Sequence, residues 1–75
     1  MKEKLAAIFK EMFEIQSIDE ASSPENVEGW DSYTHIELML ELEEQFSVTV
    51  TTDEAVELNT VGKILAFLEE RAAGV

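Results

Sequence analysis

Few groups in this chain of 75 residues are able to do chemistry. It has no Cys and a single His, which removes thiol nucleophiles, thiolate metal sites and disulfides. His35 has no thiol to activate, and no Ser-His or Cys-His arrangement can be assembled around it without other partners. It falls on the apolar side of its helix, where a structural role is expected. Ser32 stands where a loop gives way to a helix. The free backbone N–H groups and the positive dipole end there favour a phosphate, so a phosphate ester on this hydroxyl would be well placed. A serine that opens a helix is also an ordinary N-cap, and position alone does not decide between the two.

The acids are the other conspicuous group. There are 17 Asp and Glu against 5 Lys and Arg, for a net charge of −12. Such a chain repels a phosphate backbone and an anionic membrane surface, so neither nucleic acid nor membrane is an expected partner. The signs are also segregated. Lys2, Lys4, Lys10, Lys63 and Arg71 lie at the two ends, and between 11 and 62 there is no basic residue. That interval holds Asp19, Asp31, Asp53 and eleven Glu. Mixed signs would serve solubility at less cost in repulsion, so the arrangement points to a basic protein partner. Paired Glu residues could do acid–base work as in glycosidases, but that needs a cleft and a raised pKa that a thin bundle hardly provides. No Asp-x-Asp-x-Asp-Gly calcium loop occurs, and Asp53, Glu54 and Glu57 fit the first turns of a short helix.

The elements that position these groups follow from apolar spacing. Leu5, Ile8, Phe9, Met12 and Phe13 form one helical stripe. Ser17, Asp19, Ser22, Ser23, Pro24, Asn26 and Gly29 then break all periodicity to about residue 31, and Val27 and Trp30 are expected to pin this long loop to the core. A second helix starts at Asp31 or Ser32 and runs to about Phe46. Ser47 to Val50 reads as a connection, although its pattern also fits a brief strand. The Thr51/Glu54 spacing of a capping box opens a short helix through Leu58. Thr60 caps a last one with the stripe Val61, Ile64, Leu65, Leu68 and Ala72, followed by Gly74. The expected fold is all-α: a small antiparallel four-helix bundle of three longer helices, one short helix and a long first loop, forming one domain over 1–75. A chain this short buries only roughly 60% of its unfolded surface, which suits a docking or carrier domain better than an enzyme with its own deep site. No apolar run reaches the length of a membrane span, the N-terminus alternates Lys and Glu, and there is no Cys, so a cytoplasmic protein is expected; it is also expected to be a monomer.

The second helix has two apolar faces. His35, Leu38, Met39, Leu42 and Phe46 share one side, an adequate core face. Tyr33, Ile36 and Leu40 lie opposite, interleaved with Glu37, Glu41 and Glu44. Three carboxylates on that side forbid burial, and three large apolar residues exceed what a plain surface helix requires. The pattern fits a face that docks a partner.

Gly29-Trp30-Asp31-Ser32-Tyr33, then Ile36-Glu37-Leu38 and Leu42-Glu43-Glu44-Gln45-Phe46, resembles the acyl carrier protein family. The likeness continues through Val50, Asp53-Glu54-Ala55, Leu58 and Thr60-Val61. It implies that Ser32 is esterified by 4′-phosphopantetheine, which a separate phosphopantetheinyl transferase takes from coenzyme A. The terminal thiol of that arm would carry an acyl group as a thioester, with Asp31 helping the transferase and its Mg²⁺ engage. Glu37, Glu43 and Glu44, with Ile36 and Leu40, would face basic docking patches of enzymes that load and transfer the acyl group. In such proteins a short acyl chain can slip between the helices, and Leu38, Leu42, Val50, Ala55, Leu58 and Ile64 are the matching positions. All six are equally explained as plain core. Tyr33 departs from the family's usual Leu, and Thr34 and His35 are uncommon choices, which points to a specialised carrier outside the housekeeping pathway. Two other functions stay open at this point: an unmodified acidic interaction module using the same face, and an aminoacyl or peptidyl carrier of a nonribosomal pathway.

Overall fold

Leu5, Ile8, Phe9 and Phe13 recur at helical spacing, and burying that stripe is what makes the first segment a helix. The computed structural model describes residues 2–73, with side chains as far as Arg71. Its elements are α1 (Lys2–Phe13), α2 (Ser32–Phe46), α3 (Thr52–Glu57) and α4 (Val61–Ala73). The fold is all-helical, and no strand occurs among the described residues, so Ser47 to Val50 is a connection. No helix there is long and apolar enough to cross a membrane. Gly74 and the side chain of Ala72, read as the end of the last helix and of its stripe, lie outside the described residues.

The core is one cluster. Leu5 and Phe9 of α1 meet Leu38 and Leu42 of α2 and Val61, Ile64 and Leu68 of α4, with Leu58 from the turn after α3. Met12 is only half-buried, so the stripe of α1 is narrower than its spacing suggests. Two helices end without glycine: Glu14 (φ 56°) after α1 and Ser47 (φ 53°) after α2 take the left-handed conformation that glycine usually supplies. Lys4 Nζ donates to the Gln45 carbonyl at 2.6 Å, meeting an orphan acceptor at the negative end of α2.

The long loop is held by hydrogen bonds at both edges. The Ser22 and Glu20 carbonyls accept the Val61 and Gly62 N–H groups at 2.9 and 3.0 Å, and Thr60 Oγ1 accepts from Lys63 N–H at 3.1 Å. Three orphan donors of α4 are thereby satisfied. A Cβ on Gly62 would stand 3.1 Å from the Glu20 carbonyl oxygen, a tight contact that would push the loop a few tenths of an ångström away from α4. Farther along, Trp30 is buried with its ring edge-on to Phe9 at 5.2 Å and stacked on Phe13 at 6.0 Å. Val27 is buried beside it in the core, so the two residues expected to pin the loop do so. The loop that leads into α2 is therefore anchored to the core at Val27 and Trp30.

Candidate functional site

Two residues compete to start α2, and the structure chooses Asp31. It sits at the N-cap with extended backbone (φ −127°, ψ −170°), and its Oδ1 accepts the Thr34 N–H at 3.0 Å. Thr34 reciprocates: its Oγ1 accepts the Asp31 N–H at 2.8 Å and donates to the Gly29 carbonyl at 2.6 Å. This closed box uses Thr at the third position, where Glu or Gln is the usual partner. The Thr34 amide is the main reason the Asp31 carboxyl lies below the ordinary carboxylate range; loss of hydration opposes it, and the Thr34 hydroxyl and the amides of Tyr33 and Asp31 lower it further by smaller amounts.

Ser32 is thereby left as the first residue inside the helix. It is exposed, and among the described residues its hydroxyl makes no hydrogen bond. It projects beside the positive end of a helix of 15 residues, with the capping done by its neighbour. Next to it runs a shallow groove of about 350 Å³ lined by Pro24, Asp31, Ser32, His35, Val56 and Asn59.

His35, half-buried, is one of the residues that line this groove. Its Nδ1 accepts the Trp30 indole N–H at 2.9 Å, its Nε2 lies 2.7 Å from the Ala55 carbonyl, and the ring stacks on Trp30 at 5.9 Å. An indole N–H only donates and a carbonyl only accepts, so these partners put the ring proton on Nε2. The structural role expected of His35 is thus a bridge from the loop through α2 to α3.

The outer face of α2 is open. Tyr33, Ile36 and Leu40 are 72%, 63% and 59% exposed, with Glu37 and Glu44 exposed among them. Glu41 is half-buried at the rim and accepts from Gln45 Nε2 at 3.2 Å. Glu43 behaves differently: half-buried, it accepts the Val50 N–H at 2.9 Å, so its carboxylate is engaged within the chain. Val56 of α3, 71% exposed, was not anticipated. The inward pair Ala55 and Leu58, three residues apart, was the signal that could have turned Val56 outward.

The six positions matched to an acyl pocket come together as core. Leu38, Leu42 and Ile64 have no exposed surface, Leu58 is 4% exposed, and Val50 and Ala55 are half-buried against the same cluster.

Residues 3–68 match a family model described as a phosphopantetheine attachment site. Over 45 residues the chain is 40% identical to an acyl carrier protein of Amoebophilus asiaticus (strain 5a2), a stretch covering 60% of this chain. That stretch spans 56% of the length of this relative.

Proposed function

Because the chain belongs to the phosphopantetheine attachment site family, whose members are non-catalytic carriers of that group, we propose that Ser32 is the residue esterified and that the cargo is an acyl group. The observation that carries this is the division of labour at the start of α2. Asp31 does the capping, and the Ser32 hydroxyl is exposed without a hydrogen bond among the described residues. The site fits the group: an accessible hydroxyl, a helix end that favours the phosphate charge, and a groove alongside. When bound, the arm supplies a terminal thiol, a soft nucleophile that this Cys-free chain lacks, able to hold an acyl group as a thioester.

This chain's own residues then present the arm. Asp31 Oδ2 makes no hydrogen bond among the described residues, so it is free to help a phosphopantetheinyl transferase and its Mg²⁺ engage. Tyr33, Ile36 and Leu40, with Glu37 and Glu44 and with Glu41 at the rim, form the face offered to basic patches of acyl-loading and acyl-transferring enzymes. Val56, exposed on α3, lines the groove at Ser32. Glu43 contributes charge to that region while holding the chain together. The carrier acts as a monomer in the cytoplasm.

The test is direct. Apo-protein incubated with coenzyme A, Mg²⁺ and a broad-specificity transferase should gain one phosphopantetheine by intact mass, and Ser32→Ala should gain none. Addition that persists in Ser32→Ala would place the attachment elsewhere. The mass of the thioester isolated from cells then separates an acyl from an aminoacyl or peptidyl cargo.

A further inference from the structure

The bridge through His35 has a consequence for where a cargo can go. The groove beside Ser32 has His35 of α2 on one side and Val56 of α3 on the other. Residues of both helices line it, so the seam between α2 and α3 opens onto the groove, and Leu42 and Ile64 belong to the core behind. His35 spans that seam, donating to the Ala55 carbonyl on α3 while receiving the indole N–H of Trp30. Trp30 is only 2% exposed, so parting the seam by moving the ring would strand a buried donor and break the bond to Ala55, whose carbonyl would keep only the Leu58 N–H at 3.3 Å. Glu43 holds the other end of the seam through Val50. The side chains that an entering chain must displace, Leu38, Leu42 and Ile64, are wholly buried.

We propose that His35 is a positioning residue that clasps α2 to α3 and keeps the cargo of this carrier outside the bundle, exposed along the groove at Ser32. The inference rests on the carrier function proposed above. A cargo held outside is open to solvent and to any enzyme that meets it, without first being extracted from a core.

Methyl NMR tests this on the full chain, loaded at Ser32 by the transferase with coenzyme A or octanoyl-coenzyme A. In the wild type the Leu42 and Ile64 methyl resonances should coincide in the two loaded forms. His35→Leu, which fills the site but bonds to neither neighbour, should shift them on octanoyl loading and raise the melting temperature above that of its own unacylated form. His35→Gln, whose amide can accept from Trp30 and donate to Ala55, should restore wild-type behaviour; a merely space-filling role would not distinguish Gln from Leu in this way. If His35→Leu does not fold, His35→Met, which likewise cannot donate to the Ala55 carbonyl, takes its place. Octanoyl-dependent shifts in the wild type, or none in the variant, would overturn the proposal. Absence of any mass addition at Ser32 would overturn the carrier function and this inference with it. Shifted core methyls on a correctly loaded wild type overturn only the latter.

Discussion

The Glu43 carboxylate accepts the Val50 backbone N–H at 2.9 Å, fastening the end of α2 to the connection that leads into α3. Glu44, the next residue, is exposed. The two acids should therefore respond differently to substitution. Glu43→Ala should cost about 1–2 kcal/mol by chemical denaturation, because it leaves a half-buried N–H without its charged acceptor. Glu44→Lys and Glu37→Lys should change stability by less than about 0.5 kcal/mol, while slowing association with a basic partner and weakening its salt dependence. Unchanged association rates in both reversals would remove the docking face.

Asp31 links the start of α2 to pH. Its carboxyl lies below the ordinary range in the folded chain, chiefly through the Thr34 N–H. A depressed carboxylate stabilises the fold above its unfolded value, and that contribution is lost as pH falls through the folded value. Asp31→Asn keeps a capping side chain but cannot titrate. The melting temperature of the wild type minus that of Asp31→Asn should be positive at neutral pH and shrink on acidification. Taking the difference cancels the relief of repulsion among the other carboxylates. A difference independent of pH would mean that the charge of Asp31 does not contribute.

Trp30 packs against Phe9 and Phe13 and donates to His35. Trp30→Phe keeps an aromatic ring but removes the N–H, and should cost roughly 1–2 kcal/mol. Trp30→Ala adds a cavity and should cost about 3–5 kcal/mol, a large part of what a domain of this size has. Thermal melts followed by helical circular dichroism check both. Equal losses would show that the ring packing contributes little, and a Trp30→Phe as stable as the wild type would show the same of the indole N–H.

Ser47 ends α2 at φ 53°, where a side chain is strained by about 1–2 kcal/mol and glycine is not. Glycine returns part of that in the greater freedom of its unfolded chain. Ser47→Gly should therefore stabilise the protein by about 0.5–1 kcal/mol, read from the denaturation midpoint at unchanged slope. Destabilisation would imply that the serine side chain contributes to the fold in some other way.

Much of this protein is written locally in its chain. The stripes of α1 and α4, the Thr51/Glu54 box and the Thr60 cap depend on contacts three or four residues apart, and such contacts leave a periodic trace in the sequence. The exposed apolar face of α2 was legible for the same reason. Asp31 or Ser32 could each have capped α2; the choice fell to the local box of Asp31 with Thr34, an uncommon partner at that position, and so left the Ser32 hydroxyl free. Other features depended on which distant groups the packing brought together. His35 meets Ala55 across 20 residues, and the Glu20 and Ser22 carbonyls cover the N-terminus of α4 about 40 residues away. Backbone donors and acceptors are alike in every residue but proline, so no pattern of side chains announces which of them will meet. The sequence by itself determined the helices and the serine between them; the tertiary structure alone decided what surrounds that serine, because its neighbours are chosen by packing.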